Sequence, residues 1–306
     1  MTRLVFMGTP EFAVPSLRTL AAEHDVTGVV TQPDRRVGRG LKLKAAPTKA
    51  AAQALGLPVI TPTNPHEATF LSQIAAWKPD LIVVAAYGHI LRPDLLELPV
   101  SGCLNVHASL LPLHRGAASV AAAILAGDTR TGVTIMKMDS GMDSGPVLAQ
   151  RETAIDTGDT TGALTADLAT LGAQLLRETI PGYLSGKVRP RPQDDALATY
   201  APKLRKHDGR LHFSHSAVEL ERQVRAMQPW PGAFALRSKK PFKVLRAQAA
   251  SGKAPPGIVM LDSGNIAVGT GTGLLRLQRI QPPGKRAMTA EDYARGAPDF
   301  VGDTLE

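Results

Sequence analysis

The chain predicts an α/β fold: a Rossmann-like, mostly parallel sheet in an N-terminal domain, then a smaller C-terminal β-barrel of OB-like type. Three observations predict it. Through the first 180 residues, short apolar runs alternate with helical patterns, as a parallel sheet with crossover helices requires. Prolines then recur at 181, 190, 192 and 202 among polar residues, which reads as a linker. Beyond it, strand-like runs punctuated by Gly and Pro replace the alternation. The expected domains are 1–184 and 205–306, joined by residues 185–204. A length of 306 residues exceeds a typical single core and fits two.

Strands are expected at Leu4–Met7, Val26–Thr31, Leu57–Ile60, Asp80–Ala85, Cys103–His107, Gly132–Met138 and Val147–Gln150. Helices are expected near Glu11–Ala22, Thr48–Ala54, Glu67–Trp77, Gly116–Ala126 and Thr160–Ile180. Thr9 before Pro10 predicts a helix start, with a hydroxyl for the cap and a proline in the first turn. The turn Gly8-Thr9-Pro10-Glu11-Phe12 has no Gly-x-Gly-x-x-Gly, and Pro10 and Glu11 stand where a pyrophosphate would need amide donors. This argues against a dinucleotide cofactor. In the second domain Ser216-Ala217-Val218-Glu219 is a capping-box signature, opening a helix to about Met227. Trp230-Pro231-Gly232 breaks the chain, and five strand-like runs follow near 233–238, 241–248, 257–261, 264–269 and 273–280. Their face would carry Arg237, Lys239, Lys240, Lys243, Arg246, Arg276 and Arg279.

With 20% charged and 43% hydrophobic residues, the composition is that of an ordinary folded protein. Met1 to Gly8 read as a strand entering a turn, unlike a signal or transit peptide, and no apolar run approaches the roughly 18 residues that span a membrane. The single cysteine, Cys103, excludes an internal disulfide and suits a reducing compartment, so a cytoplasmic location is expected. No membrane and no obligatory protein partner are indicated. The net charge of +8 is unevenly placed. Residues 205–306 hold 16 Lys/Arg against 9 Asp/Glu, and residues 31–52 hold six basic residues against Asp34 alone. The rest of the first domain is net negative. Such concentration favours a polyanionic partner.

Chemistry concentrates in Gly102-Cys103-Leu104-Asn105-Val106-His107-Ala108-Ser109-Leu110-Leu111-Pro112. Period-two alternation puts Cys103, Asn105 and His107 on one strand face. A second polar loop runs from Met138 to Pro146. If strands 103–107 and 132–138 form a right-handed βαβ unit, they are parallel and end at one sheet edge, where Asn105, His107 and a carboxylate meet. An amide donor, an imidazole and a carboxylate suit acyl transfer. The residues alone leave Asp139 and Asp143 as equal candidates. A Cys103–His107 nucleophilic pair fails on reach, since four strand residues separate them by roughly 13 Å. His207, His212 and His215 lack a recognisable metal-ligand spacing. The basic residues Arg35, Arg36, Arg39, Lys42 and Lys44 occupy what reads as an irregular loop at the active edge, suited to phosphates and bases.

Asn105 to Pro112, Arg115-Gly116-Ala117-Ala118 and Gly132-Val133-Thr134-Ile135-Met136 with Asp139–Gly145 resemble the 10-formyltetrahydrofolate-dependent formyltransferases. Met7 to Ala13, the loop Gln32–Leu43, Tyr200 to Leu204, Pro229-Trp230-Pro231 and Gly284 to Met288 are similar to the branch acting on initiator methionyl-tRNA. The resemblance covers nearly the whole chain. Leu113 and Ser119-Val120-Ala121 depart from the family pattern beside the site. The resemblance implies that Asn105, His107 and Asp143 are catalytic, which selects Asp143 over Asp139. It further implies that Ser109, Leu110, Leu111 and Pro112 contact folate. The implied reaction moves a formyl group from 10-formyltetrahydrofolate to the amine of methionyl-tRNA, releasing tetrahydrofolate, with no metal and no covalent intermediate. A formyltransferase acting on an aminosugar nucleotide or another small amine is the alternative. Neither small substrate requires the basic loop.

Overall fold

The computed structural model describes residues 2–37 and 42–306, which group into two compact units. The first comprises residues up to 119, 130–154 and 165–202; the second comprises 120–129, 155–164 and 203–306.

The first unit opens with β1 (Arg3–Gly8), a short 3-10 turn and α1 (Val14–Glu23), then β2 (Asp25–Val30). A two-stranded antiparallel hairpin follows, β3 (Arg35–Val37) with β4 (Lys42–Lys44). Next come α2 (Pro47–Ala54), β5 (Val59–Ile60), α3 (Ala68–Ala76), β6 (Leu81–Ala85), α4 (Pro93–Leu96) and β7 (Cys103–His107). After α5 (Ser119–Ala126), β8 (Arg130–Lys137) and β9 (Val147–Ala154) complete the sheet, and the long α6 (Thr161–Leu184) follows. The sheet order is β5-β2-β1-β6-β7-β8-β9. The pairs from β5 through β7 are parallel. Leu81-Ile82-Val83-Val84-Ala85 is buried throughout, the unbroken apolar run that a two-sided parallel strand needs. On one face Val5, Met7, Val30, Ile82, Val84 and Cys103 pack with Phe70 and Ile74 of α3. The other face of β7 and β8 is met closely by α6. A Cβ on Gly172 would come within 2.8 Å of Val106 and 3.3 Å of Val133.

Three expectations are corrected here. The pair β7–β8 is antiparallel, with Asn105 opposite Met136 and His107 opposite Thr134. No βαβ unit forms, because such a unit joins two parallel strands and these two run antiparallel. The α5 helix starts at Ser119, not at Gly116, because residues 115–118 exchange backbone hydrogen bonds with 199–201. The Thr9 hydroxyl caps nothing: it donates to the Tyr87 carbonyl at 3.1 Å and accepts from the Gln32 amide at 3.3 Å, tying three strand ends together.

In the second unit Ser216 caps α7 (Ala217–Ala226) through the reciprocal Ser216–Glu219 box. The strands β10 (Phe234–Arg237), β11 (Lys240–Ala250), β12 (Val259–Asp262), β13 (Asn265–Gly269) and β14 (Leu274–Gln281) form a curled antiparallel half-barrel in the order β10-β11-β14-β13-β12. A short β15 (Met288–Thr289) pairs with β14 and leads into α8 (Ala290–Arg295). Along β11 the buried positions run Phe242, Val244 and then Ala247. The register shift around Arg246 changes the phase, as a bulge does, and keeps Lys243 and Arg246 outside. The buried stripe Ala217, Leu220 and Val224 gives α7 its inward face.

Candidate active site

The face of β7 that begins with Cys103 in the apolar core turns polar at Asn105 and His107. Both are buried, at 8% and 6% exposed. Burying an amide and an imidazole side by side is costly without partners, and the loop 138–146 supplies them. The antiparallel β8 ends beside Cys103, whose carbonyl accepts from the Met138 amide at 2.8 Å. The loop must therefore fold back over the β7 face to bring its carboxylate to His107. Asp143 arrives with φ +51°, in the left-handed region. Its Oδ1 accepts from Asn105 Nδ2 at 3.2 Å and its Oδ2 from the Gly116 amide at 2.8 Å; Oδ2 also lies 3.6 Å from His107 Nδ1. His107 Nε2 faces the His114 carbonyl at 3.1 Å. Both ring nitrogens thus face acceptor oxygens.

Asp139 has another place. It accepts from the Gly141 amide and from the Ser144 hydroxyl, each at 3.0 Å, and so organises the loop from within. Gly145 is required by close approach, since a Cβ there would sit 1.9 Å from the Lys137 carbonyl oxygen.

Behind the loop lies a support that sequence reasoning missed. The Gln193 amide donates to the Asp143 carbonyl at 2.8 Å and to the Gly145 carbonyl at 2.7 Å. Its oxygen accepts from Arg115 Nε at 3.1 Å and from an Arg115 terminal nitrogen at 2.8 Å. Arg115 also pairs with Asp195 at 2.7 Å and is only 3% exposed. Burial works against that charge, but hydrogen bonds with Asp195 and Tyr200 outweigh it and hold the guanidinium above its ordinary range. Residues 188–201, expected as part of a linker, run along the first unit. Arg191 pairs with Val147, and Thr199 and Ala201 pair with Arg115. A glutamine among prolines carries no local signal of such a role.

The predicted folate segment is ordered by its own bonds. The Ser109 hydroxyl donates to the Leu113 carbonyl at 2.6 Å, and Thr134 and Gln150 hold the backbone of Ser109 and Leu111. Ser109 and Leu111 are buried, whereas Leu110 and Pro112 are half-exposed. Among the basic residues, Arg35 pairs with Lys44 in the hairpin register and its side chain donates to Gln32, itself bonded to the Tyr87 carbonyl at 2.8 Å. Arg36 lies opposite Leu43 and Lys42 opposite Val37, so paired strands flank what read as an irregular loop. Lys44 is exposed, and Arg39 lies outside the described residues. In the second unit Lys239, Lys240, Lys243, Arg246 and Arg279 are exposed. Arg237 and Arg276 are not free surface charges: Arg237 binds Asp303, Asp299 and the Tyr293 hydroxyl, and Arg276 binds Asp262. Burial pushes the Cys103 thiol up to about 12, as expected of core filler. Among the described residues no group of three or more His, Cys, Asp or Glu is placed to hold a metal ion. No helix among them is long and apolar enough to cross a membrane.

A strand-borne Asn and His met by a loop Asp bring an amide donor, an imidazole and a carboxylate together, a set suited to acyl transfer. Residues 2–180 match the family described as Formyl transferase and residues 203–298 its C-terminal domain; the chain belongs to this family. It is 50% identical over 295 residues to the methionyl-tRNA formyltransferase of Myxococcus xanthus (strain DK1622), covering 96% of this chain and 95% of that one. Identity to the corresponding enzyme of Roseiflexus sp. (strain RS-1) is 47% over 308 residues, covering 99% and 95%. The fold is shared with an N-formyltransferase from Helicobacter canadensis solved with folinic acid and dTDP-3-aminofucose, at TM-score 0.68 and 18% identity over 90% of this chain and 98% of that one.

Proposed function

We propose that the chain transfers the formyl group of 10-formyltetrahydrofolate to the α-amino group of initiator methionyl-tRNA. The observation that carries this reading is coverage: the similarity to methionyl-tRNA formyltransferases spans 96% of the chain, so both units are shared. The residues fit a folate cosubstrate. Beside buried Asn105 and His107 stand the half-exposed apolar Leu110 and Pro112, suited to a flat ring. Only one N–H of the Asn105 amide is engaged among the described residues. The cosubstrate supplies an activated formyl carbon.

In this reading the amine attacks that carbon while the second Asn105 N–H, and His107 Nε2 once the formyl oxygen takes the place of the His114 carbonyl, hold that oxygen as negative charge develops on it. As the new carbon–nitrogen bond forms, the bond to the folate nitrogen breaks and the amine's proton passes to that leaving nitrogen. Asp143 accepts from Asn105 and lies against the His107 ring, which keeps the two donors aligned. Holding two substrates in line supplies much of the rate. Support for an RNA partner comes from the second unit. Arg246 and Arg279 stand directly opposite each other on exposed strand positions, an arrangement that repels unless an anion lies between them. We assign initiator tRNA to Arg35, Arg36, Arg39, Lys42 and Lys44 together with this surface. A translation substrate supports a cytoplasmic location for the reaction.

The test is release of tetrahydrofolate on adding methionyl-tRNA, a dTDP-aminosugar or water alone. Release with methionyl-tRNA only is the expected result. Equal or faster release with the aminosugar would replace the reading by the small-amine one, and release in water alone would make the protein a formyl-folate hydrolase.

A further inference from the structure

Asp143 sits in a left-handed backbone conformation at the tip of a loop that reaches back over β7, and little within the loop fixes it there. Asp139 ties Gly141 and Ser144, which organises the turn but holds nothing outside it. The Asp143 carboxylate reaches three groups, but a side chain that swings needs its backbone pinned as well. Among the described residues that backbone has one side-chain tether, the Gln193 amide, which donates both hydrogens to the two carbonyls flanking Ser144. Gln193 could not choose this orientation alone. An amide can be flipped, and flipping it would set its oxygen against those two carbonyls. Arg115 prevents this, because its fork donates twice to the amide oxygen and has nothing to accept with. Arg115 in turn is buried at 3% exposed and paired with Asp195 on the same segment, so the order runs Asp195, Arg115, Gln193, Asp143.

We infer that Gln193 is a positioning residue for the formyl transfer, holding the backbone of the Asp143 loop in register with Asn105 and His107, with Arg115 locking its amide the right way round. The inference rests on the reading that Asp143 serves the reaction. Gln193 touches no reacting atom. Its effect belongs on the chemical step, because misplacing a catalytic group by about 1 Å costs on the order of 100-fold.

The experiment measures kcat and KM for methionyl-tRNA and for 10-formyltetrahydrofolate in the full chain, with Gln193→Ala, Gln193→Glu, Asp143→Asn and the double variant Asp143→Asn/Gln193→Ala. Gln193→Ala should lower kcat about 10- to 100-fold with both KM values within about threefold. Gln193→Glu separates positioning from mere attachment of the segment. A glutamate keeps Arg115 paired, and more strongly, but turns an acceptor toward the Asp143 and Gly145 carbonyls. It should be as slow as the alanine variant, and it covers the case in which the alanine variant does not fold. In the Asp143→Asn background, Gln193→Ala should add less than about threefold, since the group it positions is already lost. Parental kcat in Gln193→Glu, a rise in KM alone, or full multiplication of the two losses in the double variant would each overturn the inference. Asp143→Asn within a few-fold of the parent is a separate result. It removes the reading beneath the inference, and it shows without any change at Gln193.

Discussion

Arg115 is 3% exposed, and its fork is filled by Gln193 and Asp195. Arg246 and Arg279 stand exposed and opposite one another on β11 and β14. The first region uses charge as part of a buried network, in which Arg115, Gln193 and Asp143 are each bonded at more than one point. The second leaves charges in water, where salt screens them and no single one is decisive. The contrast teaches where to expect large, discrete effects and where to expect small, additive ones. Arg237 sharpens it. It lies on the same curled sheet as Arg246, yet its ring neighbours Tyr293 and Phe300 and its partners Asp299 and Asp303 hold it half-buried in a bonded cluster.

The largest expected effect is on the buried network. His107→Ala and Asn105→Ala should each lower single-turnover formyl transfer by about 10²–10³ at saturating substrates, the usual cost of removing one oxyanion donor. Thermal unfolding should be retained as a cooperative transition. Rates within tenfold of the parent for both variants would break the comparison at its stronger end.

Next is the pair of aspartates in one loop. Asp143→Asn should slow transfer by about 10²-fold, whereas Asp139→Asn, which loosens only the turn, should cost about tenfold or less. The reverse order would exchange their roles. Single-turnover rates at several folate concentrations decide it.

Arg237 supplies a stability test with a pH signature. Its hydrogen bond holds the Asp303 carboxyl below the usual carboxylate range, against the opposing effect of burial. A carboxylate whose folded pKa is depressed contributes stability above its unfolded value of about 3.9 and loses it as pH falls through the folded value. Arg237→Leu should therefore be less stable than the parent at pH 7, and the gap should narrow below about pH 4. Urea unfolding at pH 7 and pH 3 measures this. A gap that is constant with pH would mean that the cluster works by packing alone.

The smallest effects belong to the exposed surface. Arg246→Ser and Arg279→Ser should each raise KM for methionyl-tRNA a few-fold, with kcat retained. Each should reduce the slope of log affinity against log salt by about one. Unchanged slopes would take these two arginines out of the RNA surface.

Element positions were legible from the chain because they depend on neighbours a few residues away. The period-two run at Cys103–His107 and the capping box at Ser216–Glu219 both stand where local rules place them. The uneven charge and the lone buried-type cysteine were equally plain. The sense of β8 was not legible, because alternation is the same in a parallel and an antiparallel strand; pairing with β7 settled it. Likewise the Thr9 hydroxyl had a valid local use as a cap, and contacts with Gln32 and Tyr87, 23 and 78 residues away, overrode it. Arg237 and Arg246 look alike in sequence and differ only through what Asp299, Asp303, Tyr293 and Phe300 surround. In the same way Asp139 and Asp143 are equivalent by spacing. The family resemblance pointed to Asp143, and the fold gives the physical reason: its carboxylate lies against a strand that ends 36 residues earlier, whereas Asp139 closes its own turn. Local periodicity determines which face a side chain takes; its partner is decided by register and by loops that return from far along the chain.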